Sequence, residues 1–158
     1  MATPSEAPRP ARLPPRWFIR LFWRAQRTLY RVTRRSLQKA NSTREGMLAL
    51  HSVGRRSGAE RTAILGYFED GPDLVTMAMN GWGEAEPAWW LNVQANPDVT
   101  VDLVGERRLV RARAAVGDER RRLWARWAEY NKGLDQYAAR RSHETAVVIF
   151  EPRPSAGA

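Results

Sequence analysis

Residues 47–68 read MLALHSVGRRSGAERTAILGYF and contain the two segments that best indicate how this chain folds. Met47–Val53 and Thr62–Phe68 are short, mainly apolar and bounded by glycine or charged residues, which predicts two strands. Residues 54–61, between them, predict a loop with two glycines and three arginines. The predicted unit is therefore a pair of strands whose connection presents a concentrated positive charge.

Similar signals recur along the rest of the chain and predict a small β-barrel. Four further strands are predicted, at Asp73–Met79, Val99–Val104, Leu109–Val116 and Thr145–Phe150. Turn-forming residues at 69–72 and 104–107 predict two hairpins. Helices are predicted at Pro87–Gln94 and, with Asp118 as its cap, at Asp118–Lys132. Antiparallel strands with inserted helices predict an α+β, mainly β fold, with the barrel domain at residues 41–152.

The composition excludes several classes of protein. The chain has 158 residues, no cysteine and only two histidines. A disulfide scaffold, a thiolate zinc site and a cysteine nucleophile are therefore excluded, and no metal site is predicted. No apolar run approaches the roughly 20 residues that a membrane-spanning helix needs.

The formal net charge of +9 is concentrated at the N-terminus. Residues 1–40 hold ten basic side chains and one acid, whereas residues 41–158 hold sixteen of each sign. This pattern predicts a neutral domain with a basic arm, so no nucleic-acid partner is expected. Residues 1–15, with five of the ten prolines, predict a disordered tail, and residues 153–158 predict a second one.

Residues 16–40 predict a basic amphipathic helix. At about 100° per residue the apolar side chains fall on one arc and the arginines on the opposite arc, with Trp17, Trp23 and Tyr30 at the borders. The apolar face could pack on the barrel, or the helix could lie in a membrane interface with residues 16–35 on anionic lipid. We favour the second interpretation. It predicts a cytoplasmic protein held on the inner face of the cell membrane.

The loop between the first two strands has the chemistry of an anion site. The guanidinium groups of Arg55, Arg56 and Arg61 can each pair with phosphate or carboxylate oxygens. Ser57 adds a hydroxyl donor, and a glycine such as Gly58 permits positive φ and exposes backbone N–H groups. The alternative is a solvated hairpin whose charge has no ligand.

A second cluster follows the third strand. Residues 80–83, Asn-Gly-Trp-Gly, form a glycine loop that would let a planar ring approach the backbone closely. On the short helix after it, Trp89 and Asn92 lie three positions apart and share a face. Trp90 is expected to point into the core. The alternative is that these tryptophans serve the core alone.

The order of the two clusters resembles the deazaflavin-dependent nitroreductase family, which contains F420H2-dependent quinone and nitro reductases. The shared order is strand, Gly-Arg-Arg-Ser-Gly-x-x-Arg, strand, glycine loop, Pro-x-Trp-x-x-Asn and Ala-Asn-Pro-x-Val, and it runs from about Leu48 to Pro152. The resemblance implies a split β-barrel of the FMN-binding type. The basic N-terminal helix also has a counterpart in membrane-associated members.

The resemblance implies coenzyme F420, an 8-hydroxy-5-deazaflavin with an anionic tail, as the cofactor. By the same resemblance, the phosphate and tail fall to Arg55, Arg56, Ser57, Gly58 and Arg61, the ring to Ala78, Met79 and Asn80, and the closing helix to Pro87, Trp89 and Asn92. FMN, which related split barrels use, is the less favoured cofactor because the arginines suit a longer anionic tail.

The implied activity is that of an oxidoreductase that transfers a hydride from reduced F420 to a quinone, an enone or a nitroaromatic compound. Tyr130 and Tyr137 fall where the family places tyrosines over the substrate pocket, so they are the candidate catalytic proton donors. Their alternative role is to extend the apolar stripe of the second helix. Related barrels often pair, which makes a homodimer a further expectation.

Three departures from the family pattern bear on this interpretation. Met79 stands where several members have a serine that bonds the acceptor, which disfavours nitro reduction. Asn80 replaces a common lysine. Trp82 places a large ring in a loop that is usually small, which leaves open whether it narrows the cofactor cleft. A non-catalytic carrier of lipid or fatty acid therefore remains the alternative function.

Overall fold

The structure, a computed structural model, describes residues 45–154 and, apart from them, only Leu21. Leu21 is helical and exposed. The rest of the predicted amphipathic helix at 16–40, the predicted tail at 1–15 and residues 155–158 lie outside the described residues. Residues 153 and 154 have no regular secondary structure.

Six antiparallel strands close into a barrel in the order β1-β2-β3-β6-β5-β4. The strands are β1 Glu45–Val53, β2 Glu60–Asp70, β3 Asp73–Met77, β4 Asp98–Leu103, β5 Glu106–Ala114 and β6 Val147–Pro152. The closing contact joins β4 to β1, where Ala49 pairs with Asp102. The predicted number of strands and the predicted mainly β barrel are thus confirmed.

The barrel forms because each strand carries apolar side chains that fill a closed interior, and β3 and β6 are buried on both faces. On β1, Leu48 and Leu50 belong to the inner core, and Val148 and Phe150 of β6 join them there; all four are fully buried. β1 and β2 pair without interruption from Glu45 opposite Phe68 to Val53 opposite Glu60. This long ladder carries the loop of residues 54–59 at its end.

Both predicted hairpins are present. β2 and β3 are joined through Gly71, which has a φ of 61°, and β4 and β5 through Gly105, which has a φ of 73°. Each glycine supplies a left-handed conformation that other residues adopt only with strain. The chain thus turns sharply enough for neighbouring strands to pair directly.

Within residues 45–154 three helices accompany the barrel: α1 Ala88–Ala95, α2 Gly117–Tyr130 and α3 Leu134–Ala138. α1 contributes Trp90 and Val93 to the inner core, as predicted for Trp90. α2 covers the outer face of the sheet, where Leu123 packs with residues of β2, β3 and β6. Among the described residues, no helix is long and apolar enough to cross a membrane.

The second helix differs from its prediction at both ends. Its N-cap is Val116, and Asp118 lies in the first turn without a capping bond. The helix ends at Tyr130 rather than at Lys132, because the side-chain oxygen of Asn131 accepts a hydrogen bond from the Gly133 N–H at 3.1 Å. An asparagine that bonds the backbone ahead of it competes with helix continuation. α3, which was not predicted, begins after this turn.

Ion pairs between α2 and the sheet predict an acid-sensitive fold. Hydrogen bonds from Arg122 hold the pKa of Asp70 below its ordinary value, and hydrogen bonds from Arg113 do the same for Glu119. A carboxyl whose pKa is lower in the folded than in the unfolded state adds stability above its unfolded pKa of about 4. That stability is lost as the pH falls through the folded pKa.

We therefore expect the free energy of unfolding to fall as the pH is lowered from about 5 towards 2. Replacing Asp70 by asparagine and Glu119 by glutamine should make this pH dependence shallower. Urea unfolding at several pH values, followed by tryptophan fluorescence, measures it. Glu129→Gln, at an exposed position of α2, is the control. An equally steep dependence in the double variant would contradict this assignment.

Candidate cofactor site

The loop of residues 54–59 is closed by its own backbone. The N–H of Gly54 donates to the carbonyl of Ala59 and the N–H of Gly58 donates to the carbonyl of Gly54, both at 2.8 Å. Gly58 has a φ of 66° and open space where a Cβ would lie. At Gly54 a Cβ would come within 2.7 Å of the Ser57 hydroxyl oxygen. The two predicted glycines therefore make the loop compact, and a larger residue at Gly54 would have to displace the Ser57 hydroxyl.

Side-chain hydrogen bonds brace the loop from within and from β2. The hydroxyl oxygen of Ser57 accepts a hydrogen bond from Nη2 of Arg61 and another from the N–H of Ala59, each at 3.3 Å. Arg61 is the second residue of β2, so its guanidinium reaches back across the loop. The structure thus brings Ser57, Gly58 and Arg61 together, as the sequence predicted for an anion site.

Arg55 and Arg56 of this loop and Arg61 at the start of β2 differ from the other arginines of the barrel. We call residues 54–61 the arginine loop. Arg55, Arg56 and Arg61 are exposed, and within residues 45–154 none of them forms an ion pair with a carboxylate. Arginines paired with a carboxylate elsewhere include Arg107, Arg108, Arg111, Arg113, Arg120, Arg122, Arg126, Arg141 and Arg153. Unneutralised guanidinium groups beside a glycine-bent backbone suit phosphate and carboxylate oxygens, so these residues fit the anionic tail of F420.

Asn92 of α1 connects this loop to the rest of the candidate site. Its side-chain oxygen accepts hydrogen bonds from the backbone N–H of Arg55 at 3.1 Å and from Nη1 of Arg55 at 3.4 Å. Asn92 is only 6% exposed, so its amide is fixed by packing. This contact orients Arg55 and joins two motifs that are 37 residues apart in sequence.

Replacing Asn92 by leucine, a residue of similar size, is expected to weaken F420 binding about tenfold. The change removes the acceptor that orients Arg55, and one such hydrogen bond is worth about 1.5 kcal/mol when a charged group takes part. Fluorescence titration with F420 measures the effect. Gln94→Leu, at an exposed position of the same helix, is the matched control. Unchanged affinity in Asn92→Leu would refute this role.

The residues predicted to lie beside the ring occupy the end of β3 and the start of α1. Ala78 is fully buried, whereas Met79 is 40% exposed and Asn80 is exposed. Pro87 is buried at the N-cap of α1. Trp89 is half-buried against the inner core, its ring centroid 6.1 Å from that of Trp90.

The glycine loop holds Trp82 in an unusual backbone conformation. Gly81 and Trp82 have φ values of 56° and 58°, and the N–H of Gly83 donates to the carbonyl of Asn80 at 2.9 Å. A left-handed tryptophan costs free energy of the order of 1 kcal/mol. The indole stacks on the ring of Tyr137 in α3, with 5.8 Å between centroids and 15° between planes. Trp82 is therefore held against α3.

The structure separates the two candidate tyrosines. Tyr137 lies at the glycine loop through its contact with Trp82. Tyr130, at the end of α2, contacts Phe68 and Trp127, with ring centroids 6.1 and 6.2 Å away. Phe68 and Trp127 belong to the cluster beneath α2. The proton-donor roles of both tyrosines stay predictions.

The sequence analysis did not predict a buried guanidinium next to the glycine loop of residues 80–83. The guanidinium of Arg141 donates to the carbonyl of Ala78 at 3.1 Å and to the hydroxyl of Thr145 at 2.7 Å, and its side chain is fully buried. Glu86 and His143 lie beside it. The run Arg-Arg-Ser-His at 140–143 has the composition of an exposed loop, and its partner Glu86 is distant in sequence. Only the tertiary structure reveals this burial.

The sequence profile of the F420H(2)-dependent quinone reductase family matches residues 22–152 of this chain. A Mycobacterium tuberculosis protein described under the same family name is 35% identical over 107 residues, which cover 67% of this chain and 89% of that protein. A second protein of that species, named F420H(2)-dependent quinone reductase, is 31% identical over 109 residues, covering 67% of this chain and 73% of its own length.

A solved structure described as an F420-H2 dependent reductase has the same fold. Its TM-score is 0.60 at 26% identity, over 66% of this chain and 93% of that one. A second structure, described as a domain-swapped dimer, has a TM-score of 0.63 at 24% identity over 85% of this chain and 97% of its own, and supports the fold alone. The barrel, the arginine loop and these similarities agree that this chain belongs to the F420H(2)-dependent quinone reductase family, whose members are oxidoreductases that use F420.

Proposed function

We propose that this protein reduces a quinone with a hydride taken from reduced F420. The observation that carries the proposal is the set of three exposed arginines, unpaired within the described barrel, in the loop anchored by Asn92. A loop of this charge would bind the phosphate and carboxylates of the F420 tail. Membership of the family supports the same cofactor.

Each part of the site has a proposed role. Reduced F420 supplies the hydride when it is bound. Arg55, Arg56 and Arg61 bind its tail, with the hydroxyl of Ser57 as a further donor. Residues 78–80, together with Pro87 and Trp89, form the walls against which the ring is held and from which water is excluded.

The acceptor is inferred from the side chains at the end of β3. Met79 is half-exposed and offers a thioether instead of a hydroxyl, so it cannot donate a hydrogen bond to a nitro group. The thioether can instead pack against a flat ring, and together with the family assignment this favours a quinone over a nitroaromatic compound or an enone. Of the two tyrosines, Tyr137 is the one we assign as proton donor, because it contacts Trp82 of the glycine loop.

Anaerobic mixing of the protein with reduced F420 and a soluble naphthoquinone tests this function. We expect the quinone to be reduced, and the absorbance of oxidised F420 to appear, at a rate proportional to protein concentration. Reduced FMN in place of reduced F420 should support much slower turnover. If the protein reduced the quinone no faster than buffer alone, whether the cofactor was reduced F420 or reduced FMN, the proposed function would be wrong.

We also propose that residues 16–35 hold the protein on the cytoplasmic face of an anionic membrane. This proposal rests on the sequence, in which a basic arc faces an apolar arc bordered by Trp17 and Trp23. Lipid-soluble quinones dissolve in the bilayer, so attachment would place the site close to its acceptor. The attachment is independent of the chemistry and is tested separately.

A further inference from the structure

One buried guanidinium joins the two ends of the segment that contains the glycine loop. Arg141 donates from Nη1 to the carbonyl of Ala78, at 3.1 Å, where the segment begins. Its Nη2 lies 3.4 Å from Oε1 of Glu86, where the segment ends. The seven residues 79–85 are thus spanned by a single side chain that is itself fully buried.

The same segment has further contacts with the connection between α3 and β6. Trp82 stacks on Tyr137, and both carboxylate oxygens of Glu84 accept from the N–H of Ser142, at 3.2 and 3.1 Å. Nε2 of His143 lies 2.8 Å from Oε1 of Glu86. The base, tip and end of the segment are therefore all held against residues 137–143.

These contacts are costly for a purely structural loop. Trp82 is held at a positive φ, and a buried charge is stabilising only when all its polar atoms are satisfied. Nε of Arg141 and Oε2 of Glu86 are both buried, and neither atom has a hydrogen-bond partner among residues 45–154. An arrangement that retains strain and unsatisfied polar atoms indicates that the position of the segment matters more than its stability.

The location of the segment indicates what that position serves. It begins after Ala78 at the end of β3 and leads to Pro87 at the start of α1. Those two ends are the walls to which the proposed function assigns the cofactor ring. Their spacing depends on a segment that Arg141 bridges.

We propose that Arg141 is a positioning residue for the reaction, which fixes residues 79–85 and thereby the spacing between the end of β3 and α1. This inference rests on the proposed function. Arg141 acts through Ala78 and Glu86 rather than on the acceptor. Loss of the bridge should loosen the segment and slow turnover, while the arginine loop of residues 54–61, with which Arg141 forms no hydrogen bond or ion pair within residues 45–154, keeps its affinity for the cofactor tail.

The test uses a double variant of the full chain, because removing Arg141 alone would leave the partly buried carboxylate of Glu86 with His143 as its remaining ion-pair partner and would destabilise the fold. Arg141→Met with Glu86→Gln removes both charges at similar volume. Arg122→Met with Asp70→Asn, which removes a bidentate pair beside the start of β3, at the opposite end of that strand from Ala78, is the matched control. Arg141→Lys retains the charge but cannot span both partners with one planar fork.

Amide hydrogen exchange is measured for peptides covering residues 79–85 and for peptides of β1 and β5. We expect exchange of 79–85 to become at least about tenfold faster in Arg141→Met/Glu86→Gln, with β1 and β5 unchanged and with an F420 dissociation constant within about twofold of the wild type. The kcat should fall about tenfold, and Arg141→Lys should restore part of it. The control pair should leave both exchange of 79–85 and kcat unchanged.

Unchanged exchange of 79–85 in the double variant would overturn the proposal, as would a full kcat despite faster exchange. If the wild type reduces no quinone, the proposed function fails separately. In that case amide exchange of residues 79–85 is compared with and without bound F420. Exchange that F420 slows in the wild type but not in the double variant supports positioning by Arg141. Equal slowing in both proteins refutes it.

Discussion

Replacing Arg55 and Arg61 together by alanine is expected to weaken F420 binding by about 100-fold or more. Each guanidinium would lose charge-assisted hydrogen bonds to the cofactor tail, worth about 1.5 kcal/mol at the lower end. Two such losses sum to about 3 kcal/mol, and about 1.4 kcal/mol corresponds to a factor of ten. Fold stability should change little, because both side chains are exposed and unpaired with carboxylates in the described barrel.

The matched control for this variant removes equal charge from another surface. Arg111 and Arg153 both pair with Asp98, at 2.8 and 3.5 Å, and neither contacts the arginine loop in the structure. Their double alanine variant should bind F420 with nearly wild-type affinity. If both double variants lost affinity equally, net charge rather than the built loop would explain binding, and the assigned site would be wrong.

The second large effect concerns the N-terminal arc of arginines. Replacing Arg20, Arg24 and Arg27 by glutamine in the full chain is expected to reduce binding to anionic vesicles about 100-fold. A basic residue near such a surface contributes about 1 kcal/mol, so three contribute about 3 kcal/mol. Co-sedimentation with phosphatidylglycerol-containing vesicles measures the loss, which should shrink as salt is raised.

A control with equal charge loss distinguishes the helix from the protein as a whole. The control replaces Arg107, Arg111 and Arg153, which lie in or next to the barrel strands, by glutamine. This triple variant should bind vesicles almost as the wild type does. If vesicle binding of the wild type were absent, or equally reduced in both triple variants, attachment through residues 16–35 would be refuted. Quinone reduction in solution would not be affected by that result.

The strands were predictable because their signals are local. Alternating apolar residues such as Leu48 and Leu50 point to one face, and Gly71 and Gly105 mark turns that require positive φ. The closing pair of β4 with β1 could not be read from the sequence, since it depends on how six strands fit together in space. The predicted end of α2 was wrong because the hydrogen bond that the Asn131 side chain accepts from the Gly133 N–H outweighs helix propensity.

The candidate site shows the same division. The arginine loop was visible in sequence because its residues are consecutive and their chemistry is distinctive. Its contact with Asn92 was not predicted, since the resemblance assigned Asn92 only to the helix that closes over the cofactor, and the hydrogen bonds to Arg55 come from the structure. Arg141 was missed because its burial depends on Glu86 and Ala78, which lie 55 and 63 residues earlier in the chain. Buried charges with distant partners leave no periodic signal.

Binding of the anionic F420 tail by the arginine loop can be tested in a single titration experiment. The protein is titrated in parallel with F420, with the same deazaflavin riboside lacking phosphate and glutamates, and with FMN. We expect F420 to bind at least about 100-fold more tightly than the riboside, and also more tightly than FMN. Equal affinity for F420 and the riboside, or tighter binding of FMN, would contradict it.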